Sequence, residues 1–294
     1  MLWAVFTLIA AAAQTARNAM QRELTATLGT VGATHVRFLF GFPFAVIFLL
    51  AVMAVTRSPL PWPPVNFWAW IVFGALAQIS ATALMLAAMG ERSFVVAIAY
   101  IKTEPVQVAI FGLVFLHDAL TPTLAAAVII ATLGVIVMSL KPGAASAMSA
   151  RPTVYGLVSG TMFALSAIGY RGAILSLQLP DFVMAATFTL AVGLVLQSIL
   201  LSAYLAVRDM AVLRAIMREW KPSMLAGFMG SFASEFWFLA FAIATAASVR
   251  TLALVEVLMA QAVSKFIFKQ PATTREIIGI VLVVVGVVIL VSGI

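Results

Sequence analysis

Ile101-Lys102-Thr103-Glu104-Pro105-Val106-Gln107 sets two ions and a helix-breaking proline in the middle of an apolar segment running from about Ser93 to Leu116. A charge at the centre of a bilayer-spanning helix costs roughly 2.5–3.5 kcal/mol on insertion scales, so such residues face a protein interior or a wet cavity. A second apolar segment, from about Ser248 to Phe268, carries Glu256, Gln261 and Lys265 in similar surroundings. Glu256 follows Glu104 at an offset of 152 (256 − 104), the first sign of two copies of one unit. These two segments read as the walls of a solute path.

The rest of the composition agrees with membrane spans around that path. Of 294 residues, 64% are hydrophobic and 9% charged, with a mean hydropathy of +1.15, far beyond what a soluble core needs. The net charge of +7 would suggest nucleic acid in a soluble domain. In a membrane protein basic residues collect in cytoplasmic loops, so no nucleic-acid partner is expected. The chain has no cysteine and only His35 and His117, which excludes thiolate chemistry and a multi-histidine metal centre. No metal or organic cofactor is indicated. Met1 to Ala13 is apolar but lacks a basic leader, and Gln14 to Gln21 offers no cleavage site, so this stretch reads as the first span.

Ten stretches meet the length of about 20 apolar residues that a span requires: 2–22, 32–56, 66–90, 93–116, 122–140, 153–177, 182–206, 222–244, 248–268 and 274–293. Pro59-Leu60-Pro61-Trp62-Pro63-Pro64 forms a rigid loop with an interfacial tryptophan. The small-residue linker 142–152 joins a first unit, 1–141, to a second, 153–294. The charged connection Arg208 to Lys221 is polar enough to lie on the membrane surface.

The repeat recurs along the chain. Leu133 to Met138 matches Val285 to Leu290 at the same offset of 152, Arg17 aligns with Arg171 at 154, and Gly74 with Gly227 at 153. Five spans per unit is an odd number, so the second copy enters the membrane inverted. The expected fold is therefore an all-α polytopic membrane protein of ten transmembrane helices in two inverted five-helix repeats. Alternating-access transporters are built this way, with substrate near midplane between the halves.

Glu104-Pro105 in the fourth span, the Phe115-Leu116-His117-Asp118 exit from it, the glycine-containing fifth and tenth spans and His35-Val36-Arg37-Phe38 opening the second span resemble the drug/metabolite transporter superfamily, specifically its ten-span EamA-like exporters. The resemblance covers nearly the whole chain and implies an amino-acid exporter in a bacterial cytoplasmic membrane with both termini inside. Two features depart from the family: His117-Asp118 and Lys269-Gln270 stand where Gly-Glu is usual, and Val257 stands opposite Pro105. Basic residues crowd the loops after odd-numbered spans, among them Arg208, Arg214, Arg218 and Lys221. Counted by the positive-inside rule, that would put both termini outside. The even number of spans puts them on one side in either case.

Helix spacing groups the polar residues into faces. Gln14, Arg17, Asn18 and Gln21 form a stripe that either lines the path or marks the membrane boundary. Gln78 and Thr82 share a face in the third span, and their counterparts in the eighth are Ser231 and Glu235. Lys102 and Glu104, two residues apart, point in different directions and cannot pair on a regular helix. Pro105 is expected to kink the fourth span and serve as a hinge, with Tyr100 and Gln107 flanking it. Glu104, Glu235 and Glu256 are candidates for ammonium recognition or proton coupling, and Lys102, Arg171 and Lys265 for holding a carboxylate. The opposite charges can also pair permanently with one another. Tyr100, Tyr170, Trp237 and Phe238 would meet an apolar body. Both signs beside aromatics suit a zwitterion such as an amino acid.

The reading is a secondary exporter of amino acids or similar small amphipathic metabolites, coupled to protons or to an exchanged solute, and not an enzyme. The alternative is an intramembrane enzyme acting on a lipid or isoprenoid, which would need clustered catalytic groups at the membrane face. Asp118, Asp181 and Asp209 are dispersed along the chain and do not supply them. Nothing in the sequence sets the oligomeric state, and a monomer would suffice.

Overall fold

The computed structural model describes residues 1–91, 101–139, 150–258 and 273–293, and every regular element among them is an α-helix. In chain order these are α1 (Leu2–Leu39), α2 (Phe42–Thr56), α3 (Val65–Glu91), α4 (Glu104–Leu116), α5 (Pro122–Ser139), α6 (Ala150–Ser176), α7 (Phe182–Arg208), α8 (Met210–Arg218), α9 (Trp220–Ile243), α10 (Ala246–Leu252) and α11 (Thr274–Ser292). Six apolar helical stretches among the described residues are long enough to cross a membrane, with α1 and α2 counted as one run, and α4 and α5 are shorter apolar helices. The chain is a multi-pass helical membrane protein. The expected fourth and ninth spans are only partly described, and the expected joint at 142–152 falls mostly outside the described residues.

The first two expected spans meet without a loop. α1 has 38 residues, which if straight would extend about 57 Å, nearly twice the ~30 Å hydrocarbon core. It breaks at Gly29, where φ is 66° and ψ 176°. That backbone region belongs almost solely to glycine. The sequence alone suggested a connection over 23–31, and the turn is achieved there by this one residue inside a continuing helix. Gly29→Ala is expected to lower stability by about 1–3 kcal/mol, read as a lower unfolding midpoint in detergent, although a Cβ there would meet no neighbour.

Helix ends follow their local chemistry. Asp181 caps α7 by accepting from the Val183 N–H, Asp209 caps α8 through Val212, and Thr273 and Glu276 form a reciprocal capping box on α11. The charged connection before the eighth span folds as the short helix α8. Its Ile216 is buried beside Gly32 of α1, while Met217 is exposed.

The principal helix contacts are α3 along α6, α1 along α9 and α5 along α11, followed by α7 with α9, α2 with α7 and α4 with α6. Close crossings depend on missing side chains. A Cβ on Gly169 would lie 2.6 Å from the Gly74 Cα, and one on Gly279 2.6 Å from the Gly134 carbonyl oxygen. Backbones can approach this closely only where small residues face one another. The main buried core combines residues of α1, α3, α6, α7, α9 and α10, including Phe38, Ile71, Ile168, Leu194 and Phe241.

Candidate functional site

Two broken helices frame the site. In the first half the chain is helical at Ile101, turns at Lys102 and Thr103, and resumes as α4 at Glu104. In the second half α10 ends at Leu252 and a turn at Ala253 and Leu254 follows, held by Leu254 N–H to Thr251 O (3.1 Å) and Glu256 N–H to Ala253 O (3.0 Å). Pro105 therefore lies in the first turn of α4, where a missing N–H costs nothing. The helix is interrupted just before it, not kinked at it. The Ile101 carbonyl oxygen packs against α6, where Gly160 leaves room for it.

Each break places charge where its helix end favours it. Glu104 lies in the first turn of α4 and Arg250 in the last turn of α10, which match the positive and negative ends of the helix dipoles. They meet as an ion pair, Arg250 Nε to Glu104 Oε1, at 3.1 Å. Lys102 and Glu256 form a second pair across the same junction. Both pairs join the first half of the chain to the second, and all four residues are under a tenth exposed. Lys102 and Glu104 thus stay apart, as their spacing requires.

These four residues line a cavity together with Gln14, Arg17, Asn18, Met85, Ile101 and Phe163. Its free volume is about 10 Å3, on the order of what one water needs. On its wall Arg17 gives Nε and Nη2 to the Asn18 amide oxygen. Arg17 Nη1 and Glu256 Oε2 are buried and have no hydrogen-bond partner. Such groups are costly to leave unmet. Here they are a spare donor and a spare acceptor on one cavity.

Polar and aromatic residues of α1, α3, α6, α7 and α9 form further contacts. Trp237 Nε1 donates to Gln14 Oε1 (3.0 Å), and the Arg250 guanidinium lies over the Trp237 ring, 4.4 Å from its centroid, an attractive cation–π contact. Tyr170 Oη and Gln197 Nε2 both donate to Gln78 Oε1, each at 3.0 Å. Phe238 packs on Tyr170 with centroids 4.6 Å apart. Thr82 accepts from Arg37 Nη1 (3.3 Å) and donates to the Gln78 carbonyl (2.9 Å).

Of the residues singled out from sequence, Lys102, Glu104, Arg17 and Glu256 come together on the cavity, Trp237 touches its Gln14 and Arg250, and Gln78, Thr82, Tyr170 and Phe238 form a linked group that reaches Arg37. Glu235 lies apart, accepting from the Thr187 hydroxyl at 2.6 Å and not lining the cavity. Arg171 also lies apart. Its Nε and Nη2 hold Asp118 at 3.3 and 3.1 Å, and its Nη1 donates to the carbonyls of Phe241 and Ala244, so it clasps the exit of α4 to the α9–α10 junction. Tyr100 and Lys265 lie outside the described residues. Arg250 and Arg37 were not read as site residues, nor Asp118 as a partner. Arg250 had one usable signal, an isolated arginine six positions before Glu256 in the same apolar stretch.

A solved crystal structure of a protein 15% identical to this chain has the same fold, with a TM-score of 0.64 and 98% of each chain covered. No curated protein matches. Residues 1–140 match the model of the EamA-like transporter family.

Proposed function

From a chain whose first 140 residues place it in the drug/metabolite transporter superfamily, we propose a secondary active transporter that exports amino acids or similar small amphipathic metabolites by alternating access. The single observation that carries the substrate class is the spare Arg17 Nη1 and Glu256 Oε2 on one buried cavity. A substrate carboxylate would take the first and a substrate ammonium the second, while Trp237 and Phe163 would meet the apolar remainder. Lys102 and Arg250 would exchange their glutamate partners for the substrate as it enters. Arg171 and Glu235 enter this reading as supports, the one holding α4 to the second half and the other tying α9 to α7.

The proposed architecture is ten spans in two inverted units, 1–141 and 153–294, joined by 142–152. Its support is the way helix contacts exchange under the repeat. α3 with α6 (third span with sixth) would correspond to the eighth span with the first, a pairing to which the Trp237–Gln14 bond between α9 and α1 belongs, whereas α5 with α11 and α2 with α7 map onto themselves. A two-fold relation in the membrane plane has that consequence. With about 10 Å3 free, the cavity admits a metabolite only when the broken helices part, which is the movement that alternating access needs. The proposed location is a bacterial cytoplasmic membrane with both termini on one side. Protons or a counter-transported solute would be the coupling partner.

Counterflow in liposomes containing the purified protein tests the proposal. Vesicles preloaded with unlabelled amino acids are expected to accumulate labelled amino acid transiently. Inert vesicles across a panel of amino acids, or chemical conversion of the label, would overturn it.

A further inference from the structure

We propose that Arg17 and Arg37 together bind one small monovalent anion, a halide or a carboxylate, between α1 and α9. Both arginines belong to α1. On a straight helix twenty residues would separate them by about 30 Å, but the break at Gly29 turns the second limb back. Both side chains consequently reach Gly230 of α9, where an added Cβ would lie 3.0 Å from Arg37 Cγ and 3.3 Å from Arg17 Cδ. Glycine at this position is what admits two guanidinium stems to one place.

The charge balance favours an anion there, because among the described residues around this junction Arg17, Arg37, Lys102 and Arg250 are buried against only Glu104 and Glu256. Arg17 is 0% exposed and Arg37 2%, and a guanidinium stays protonated in a protein. Glu104 and Glu256 are engaged by Arg250 and Lys102, and neither Arg17 nor Arg37 pairs with a carboxylate among the described residues. Their partners are neutral: the Asn18 amide oxygen for Arg17, and the Thr82 and Ser234 hydroxyls, at 3.3 and 3.2 Å, for Arg37. Hydroxyl and amide oxygens orient a guanidinium without cancelling its charge, and a buried charge without an opposite one is strongly disfavoured. Each arginine also keeps one buried N–H without a partner, Arg17 Nη1 and Arg37 Nε. Two full charges whose stems meet at one glycine, each with an unmet donor, are the elements of an anion site. The anion comes either from the medium or from the carboxylate of a transported solute, since Arg17 also faces the cavity described above.

The test is a binding measurement, so a protein inert in counterflow can still pass it and a transporter can still fail it. Unfolding midpoints of the full chain in detergent are measured against sodium chloride or sodium acetate, with the bulky sulfonate HEPES balancing ionic strength. The wild type is expected to show a saturable rise of its midpoint by mass action, lost in Arg37→Gln and in Gly230→Ala, which keeps both charges but fills their meeting point. A response to chloride identifies an anion from the medium, and a response to acetate alone identifies a carboxylate. A flat response, or an equal one in both variants, overturns the site. If the variants do not fold, anomalous scattering from wild-type protein in bromide, or in bromoacetate where acetate alone responds, decides. A peak at the two guanidiniums supports the site, and its absence there overturns it.

Discussion

Lys102→Met is expected to destabilise the protein by about 3–5 kcal/mol and to abolish counterflow. Lys102 is 6% and Glu256 8% exposed, and removing one partner leaves a buried carboxylate without its ion pair, whose other oxygen already lacks a hydrogen bond. Adding Glu256→Leu to that variant tests what the pair is for. Replacing both buried ions by apolar groups of similar size is often neutral for stability, so the double variant should recover its unfolding midpoint to within about 1 kcal/mol. It should still not move amino acids, because the ions that would exchange partners with substrate are gone. Measuring detergent unfolding and counterflow on the same preparations separates the two effects. A stable double variant with full transport would remove the pair from the proposed site.

The second large effect belongs to Arg171. One guanidinium holds both Asp118 oxygens and two carbonyls at the α9–α10 junction, so Arg171→Leu strands an acid and two acceptors at once, an expected loss of about 3–5 kcal/mol. Arg171→Lys keeps the charge but cannot reproduce the planar fork. It should lower stability by about 1.5–3 kcal/mol and leave the apparent KM for counterflow unchanged, since Arg171 does not line the cavity. A raised KM at normal stability would instead return Arg171 to substrate recognition.

Much of the architecture was legible without coordinates because hydropathy reports burial in lipid directly. The spans over 66–90, 182–206 and 274–293 correspond closely to α3, α7 and α11, and the charged connection after the seventh span is where α8 lies. The interruption beside Pro105 was also legible, though not its form. A proline inside an apolar run signals either a kink or a restart, and which occurs depends on whether neighbours can satisfy the preceding turn. Here Gly160 of α6 leaves space for the Ile101 carbonyl, and the helix restarts. The Gly29 turn was hidden because a single glycine in a helical stretch does not reveal the sign of its φ.

Composition and spacing alone determined that this chain crosses a membrane repeatedly, that it carries ions inside two apolar segments, and that Lys102 and Glu104 could not pair with each other. Only the tertiary structure decided that Glu104 takes Arg250 while Lys102 takes Glu256, that Arg171 clasps a junction away from the cavity, and that Arg17 and Arg37 converge on Gly230. The reason is physical. Burial is a local property that each residue declares through its own side chain, whereas the partner of a buried charge is chosen by how distant helices cross, and those crossings depend on a few contacts between small residues far apart in the chain.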